Sequence, residues 1–408
     1  MTNLPQGWEV KKLGEIGEIV TGSTPSKSNL DFYGKDYPFF KPSDFEQGYF
    51  LENAGDNLSK LGFDKARQLP PKTILVVCIG SLGKVALTRV IGSCNQQINA
   101  IIPHKNIISE YIYYYCISSK FQSILFSKAP QTTLAIFNKT EFSKLEIIYP
   151  KDIKEQERIV GILDESFAKI DENIKILEQD LLNLDELMQS ALQKAFNPLK
   201  DNAKENYKLP QGWEWKSLGE IANTSSGGTP SRNKKEYWEN GNIKWLKSGE
   251  LNDGYIDFIE ENITEEAIKN SSAKIFQKGT LLIAMYGATA GKLGILNLDS
   301  TTNQAICAFL HKDKNIKFLE KFLFYFLFFL RDKIIKDSFG GAQPNINQTY
   351  IKNLQIPLPP IKEQEQIAKH LDFVFEKTKA LKELYTKELK DYEELKQSLL
   401  NKAFKGEL

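Results

Sequence analysis

The residues of this 408-residue chain that could do chemistry are dispersed, and their spacing excludes the common catalytic sites. Gly287-Ala-Thr-Ala-Gly-Lys292 looks like a phosphate-binding loop, but three residues separate its glycines where four are needed. Leu293 stands where a Ser or Thr must hold magnesium, and Gly83-Lys84 offers less still. No GxSxG elbow or HExxH helix is present, and no Asn/Asp-Pro-Pro-aromatic run of an amino-methyltransferase: Pro70-Pro71 and Pro359-Pro360 both follow leucines. His104, His311 and His370 are too scattered to suggest a metal site. Cys78, Cys94, Cys116 and Cys307 show no zinc or redox spacing. The expectation is a chain with no catalytic residues, no metal and no cofactor of its own.

Polar chemistry of another kind recurs on loops. Ser23, Thr24, Ser26 and Lys27 lie together, Lys41 is close to Ser43, and Ser81 is close to Lys84. The second half of the chain offers Thr229, Ser231, Arg232, Lys234 and Lys235, then Lys247 beside Ser248, Thr289 near Lys292, and Gln343 near Asn345. Hydroxyls and cations on loops can hold phosphates, and amides can read base edges. These residues are the candidate DNA-binding set. Any single loop among them is also explained as a turn; recurrence in both halves is what adds information. Gln96-Gln97 and Asn303-Gln304 read equally as braces of turns.

Composition bounds the class. Hydrophobic residues at 41% and charged residues at 26% describe an ordinary globular protein. Lys+Arg 53 against Asp+Glu 52 gives no overall basic excess, so any nucleic-acid surface must be local. Residues 1–150 and 209–358 are slightly basic, whereas 151–196 carry 6 basic against 11 acidic residues. The apolar run Phe322–Leu330 is far short of the roughly 20 residues of a membrane span, and it reads as a buried helix. The opening MTNLPQGWEV lacks a signal-peptide core, and the cysteines suit a reduced compartment, so the expected location is cytoplasmic.

The elements that would position these loops follow from an internal repeat. Leu4-Pro-Gln-Gly-Trp-Glu9 returns as Leu209-Pro-Gln-Gly-Trp-Glu214, Gly22-Ser-Thr-Pro-Ser26 as Gly227-Gly-Thr-Pro-Ser231, and Lys154-Glu-Gln-Glu157 as Lys362-Glu-Gln-Glu365. Each copy opens with a mixed α/β (α+β) globule, 1–150 and 209–358. Strands are expected at Thr73–Ile79, Leu145–Tyr149 and Thr280–Met285, and aromatic helices at Glu110–Ser118 and Phe318–Leu330. The globules are followed by helical segments, 151–197 and 359–408, with a linker at 198–208. In the first helix, Leu163, Phe167, Ile170, Ile174, Leu177, Leu181, Leu184 and Met188 step by four and three without a miss, as a coiled-coil seam does. In the second, Leu371, Phe375, Tyr385, Leu389, Tyr392 and Leu399 keep the register, with Thr378, Lys382 and Lys396 interrupting it. The Lys-Glu-Gln-Glu clusters read as solvated first turns. A helix of some 60 Å against the twelve-residue connector Asn197–Lys208 of at most about 42 Å favours antiparallel pairing and a pseudo-twofold arrangement.

Two globules opening with Leu-Pro-xx-Trp, each followed by Glu-Gln-x-x-Ile and a long heptad helix, resemble the specificity subunit of type I restriction–modification enzymes. The elements are Leu4 to Trp8 and Leu209 to Trp213, Glu155-Gln156 with Ile159, and Glu363-Gln364 with Ile367. The resemblance implies two target-recognition domains, each reading half of a bipartite, asymmetric site on double-stranded DNA. It implies helices that set the gap between the halves, and two methyltransferase subunits as partners using S-adenosylmethionine. Restriction and translocase subunits using ATP and Mg2+ would join them, and this chain would catalyse nothing. The alternative is a coiled-coil interaction scaffold with two globules that bind ligands other than DNA.

Overall fold

The computed structural model describes residues 4–128, 136–196, 209–312, 317–338 and 345–408. The chain forms two compact units, the first built from two separate stretches of sequence and the second from one. One comprises residues up to Glu178 together with Tyr385–Leu408; the other is Gln179–Leu384.

In the first unit a five-stranded sheet runs in the order Gly17–Thr21, Ile98–Pro103, Ile74–Val77, Val85–Thr88, Phe50–Leu51. The first three pairings are antiparallel and the last is parallel. Ile74–Val77 is buried along its whole length, as its unbroken apolar run requires of a central strand. A three-stranded sheet, Asp56–Leu58, Tyr33–Phe40 and Ser93–Cys94, lies beside it in the fold. Trp8–Lys12 pairs with Glu146–Pro150, closing the beginning of the globule onto its end. The helix Ser109–Ile117 buries Tyr111, Tyr114 and Tyr115 among the sheet residues and Leu163.

The second unit repeats this order in Ala222–Ser226, Ile306–His311, Leu281–Ala284, Leu293–Leu296 and Gly254–Ile256. Glu214–Ser217 pairs with Gln355–Leu358, and the helix Glu320–Phe329 supplies the aromatic layer. The observed strands and helices fall within a few residues of the sequence expectations. The chain is a duplicated α/β fold.

The long helices are Ile153–Phe196 and Ile361–Ala403. Each unit holds one stretch of both, running antiparallel. In the first, Arg158 donates to the Leu408 carbonyl at 2.8 Å, while Lys396 meets Asp171 at 2.6 Å. In the second, Lys382 pairs with Asp185, and Leu192 and Phe196 share a cluster with Leu371. Every predicted seam residue is buried or half-buried. Thr378 turns its hydroxyl to the Val374 carbonyl at 2.7 Å, and the two seam lysines reach acids on the facing helix, so polar side chains fit the seam without a break. The predicted linker lies outside the described residues.

One expectation is corrected. The Lys-Glu-Gln-Glu clusters are more than solvated turns, because Gln156 and Gln364 are buried. The Gln156 carbonyl accepts from Ile108 N at 2.9 Å and its amide donates to the Pro150 carbonyl at 2.9 Å. Gln364 does the same with Leu319 N at 2.8 Å and the Pro359 carbonyl at 2.9 Å. Each glutamine ties a long helix to the last strand of its globule and to the aromatic helix.

Candidate nucleic-acid interface

Strand direction brings the candidate loops of each globule to one sheet edge. In the first globule Gly17–Thr21 and Ile74–Val77 end there, while Val85–Thr88 and Ile98–Pro103 begin there. Tyr33–Phe40 runs parallel to Ser93–Cys94, so Lys41 follows it to the same edge. Backbone bonds stitch the loops together: Gly22 N to Ile98 O at 3.0 Å, Ser23 N to Cys94 O at 3.0 Å, Asn95 N to Phe40 O at 3.1 Å and Cys78 N to Gln97 O at 2.7 Å. Gly22 is required by this contact, since a Cβ there would run into the Asn95 carbonyl; Gly227 meets the Thr302 carbonyl in the same way. Ser23, Thr24, Ser26, Lys27, Lys41, Ser43, Ser81 and Lys84 therefore all lie on loops of this edge.

The second globule is stitched alike, with Gly228 N to Thr302 O at 2.8 Å, Asn303 N to Leu246 O at 2.9 Å and Met285 N to Ala305 O at 2.7 Å. Thr229, Ser231, Arg232, Lys234, Lys235, Lys247, Ser248, Thr289 and Lys292 are on these loops. Ile346 N donates to Met285 O at 2.7 Å, as Phe137 N does to Cys78 O at 2.8 Å, which brings Asn345 to the same place. Gln343 lies outside the described residues. The Gly287–Lys292 turn joins two strands and opens no helix, so the context of a nucleotide-binding loop is missing.

Within the edge, one polar pair is repeated. Thr24 donates to the Gln96 side-chain carbonyl at 2.5 Å, and Thr229 to that of Gln304. Asn95 and Asn303 brace their turns by accepting from the backbone two residues on, at 3.1 and 3.2 Å. The amide runs thus divide: the asparagines hold the backbone, while Gln96 and Gln304 sit at the exposed surface with a threonine.

The cations are organised by acids that the sequence reading missed. Lys41 pairs with Asp56, and Lys84 with Glu46. Glu261 accepts from Arg232 at 2.6 Å and from Lys247 at 2.8 Å. Burial would raise the Glu261 carboxyl, but hydrogen bonds from Arg232 and Lys247 hold it below its ordinary value. Arg232 lies over the Trp238 ring at 3.6 Å, and the Trp238 and Trp245 indoles donate to the carbonyls of Ser231 (3.1 Å) and Gly228 (2.9 Å). A signal for these acids was present: Asp56-Asn-Leu58 returns as Glu261-Asn-Ile263, at the offset of the opening motif.

Elsewhere chemistry is sparse. The four cysteines are buried and free; burial pushes Cys78, Cys94 and Cys307 up to about 12. Among the described residues no group of three His, Cys, Asp or Glu is placed to hold a metal ion, and no helix is long and apolar enough to cross a membrane.

Comparison with known proteins gives a consistent result. A family model described as type I restriction modification DNA specificity domain matches residues 5–179 and again 210–391. The HindI specificity subunit of Haemophilus influenzae is 38% identical over 186 residues, 44% of this chain and 40% of that protein. The MjaIX specificity subunit of Methanocaldococcus jannaschii is 27% identical over 372 residues, 88% of this chain and 84% of that one. Among solved structures, a chain from work on assembly and conformational transition of the type I R-M system superposes with a TM-score of 0.81 at 21% identity, covering all of both chains. The HsdS subunit of Thermoanaerobacter tengcongensis gives 0.61 at 21%, over all of this chain and 98% of that one. At such identity the structural likeness concerns the fold.

Proposed function

This chain belongs to the family of type I restriction modification DNA specificity domains, of which it carries two, and we propose that it is the subunit that chooses the DNA sequence. Each globule reads one half of a bipartite, asymmetric site on double-stranded DNA with its loop edge. The supporting observation is that both globules stitch the same loops into the same edge with a shared Thr-Pro-Ser frame and different side chains around it: Ser23 and Lys27 in one, Gly228 and Arg232 in the other. A constant frame with variable residues is what two unlike half-sites require.

The chain performs no bond-making step itself. It docks two methyltransferase subunits, which bring S-adenosylmethionine, and restriction subunits that use ATP and Mg2+. The antiparallel helices serve as the spacer, and adenine methylation is the output of the assembly.

The test is methylome sequencing of cells expressing this chain with its methyltransferase, with and without an intact copy. Loss of one bipartite adenine-methylation motif is the expected result. Methylation that persists unchanged without the chain would overturn the reading.

A further inference from the structure

The two globules share an arrangement at the end of one strand that separates their cations into two kinds. Lys41 follows Tyr33–Phe40, and Lys247 follows Ile243–Leu246. The Asp44 carboxylate accepts from Lys41 N at 2.7 Å, and that of Glu250 from Lys247 N at 2.8 Å. The tips are held as well, by Asp56 and Glu261, which precede matching residues of the adjacent strand. Each lysine is therefore fixed at its backbone and at its ammonium. Arg232 is fixed a third way, by Glu261 and the Trp238 face. Lys27 and Lys292 are different: both are exposed, and among the described residues neither has an ion pair.

Lys41 lies beside Asp56 and Asp44, and the Arg232–Lys247 pair beside Glu261 and Glu250; cations so balanced by carboxylates gain little from displacing the counterions of a phosphate backbone. Their hydrogen-bond capacity survives. An ammonium has three donors and a guanidinium five, and here only some are spent. A donor held in place and stripped of net charge suits recognition of an acceptor at a fixed position, as on the major-groove edge of guanine. An unpaired lysine on a loop suits phosphate.

We propose that Lys41 in the first globule, and Lys247 with Arg232 in the second, read base edges from positions set by Asp56 and Glu261, whereas Lys27 and Lys292 hold the phosphate backbone. This rests on the DNA-reading function proposed above and assigns its specificity-determining residues.

The experiment uses the full chain with its methyltransferase partner. It selects bound duplexes from random DNA and then measures affinity for the selected site at several salt concentrations. Lys247→Gln is expected to relax the preference at one position of one half-site and to lower affinity for the original site about tenfold or more, with the salt slope unchanged. Lys41→Gln, in the other globule, should do so at the other half-site. Lys292→Gln should leave the selected sequence intact and reduce the magnitude of the slope by about 0.9. Glu261→Gln, which preserves shape, should free both cations, steepen the slope and weaken the sequence preference. If Lys247→Gln lowers the slope while the selected sequence stays the same, or changes neither, the assignment is overturned. Wild-type assembly that shows no sequence-selective, salt-dependent binding would instead refute the DNA-reading function itself.

Discussion

Losing a buried side-chain amide whose two ends are both used leaves polar groups of the backbone unpaired and cut off from water. Gln156 and Gln364 are such amides, one in each unit. Replacing Gln156 with Ala leaves Ile108 N and the Pro150 carbonyl without their side-chain partner and opens a hole at the base of the long helix. The expected cost is about 2–4 kcal/mol, read as a lowered urea midpoint. An unchanged midpoint would mean that water replaces the amide at no cost. The burial was legible. Gln156 lies three, four and seven residues before Ile159, Val160 and Leu163, which is the same helical stripe. Its charged neighbours Lys154 and Glu157, exposed as expected, hid it. The role of Glu261 was less legible, because its partners Arg232 and Lys247 are distant in sequence and meet it only in the folded chain.

At the scale of elements, the four-three alternation runs along positions that are buried or half-buried in both long helices, Lys382 and Lys396 included. What periodicity does not convey is how those lysines are accommodated. Lys396 is 17% exposed, extends beside Phe167 with its ammonium 5.8 Å from the ring centre, and ends on Asp171 of the facing helix. Its methylene stem does the work of an apolar residue. Lys396→Met should therefore change stability by less than about 0.5 kcal/mol, since the Asp171 it abandons is solvated. Lys396→Glu sets like charges between Asp171 and Glu393 and removes the cation from the ring. A loss of about 1–2 kcal/mol is expected, measured by denaturation of the full chain. Equal effects of Met and Glu would show that the contact with Asp171, and not the stem, is what matters. The sheets were legible for a different reason. Short apolar runs such as Thr73–Ile79 can only be buried strands at that length between turns, but their pairing order depends on tertiary contacts that no local pattern records.

For the molecule as a whole, the repeat predicted duplication, but it did not show that each unit is completed by residues from the far end of a helix. Leu400, Ala403 and Phe404 belong to the core of the first unit, where Phe404 meets Tyr111 edge-on at 5.4 Å and Tyr115 at 5.0 Å. The repeat-equivalent residues Leu192 and Phe196 belong to the core of the second, with Phe196 at 5.3 Å from Phe322 and 5.6 Å from Phe326. Each globule thus has an aromatic surface built to receive a Leu-x-x-x-Phe helix end, and a fragment of residues 1–198 keeps the first such surface while losing the end that covers it. It retains an equivalent end of its own in Leu192 and Phe196. Covering Tyr111 and Tyr115 from a second copy would bury one Leu and one Phe on each side, worth about 3–6 kcal/mol per side before association costs. Two fragments exchanging helix ends satisfy both surfaces at once, a closed twofold arrangement. Residues 1–198 are accordingly expected to sediment as a homodimer at micromolar concentration. Phe196→Asp should abolish the dimer, because it places a charge against the aromatic layer without touching the fragment's own sheet. A compact monomer would count against the exchange. So would a dimer indifferent to Phe196→Asp, since its contact would then lie somewhere other than the helix end.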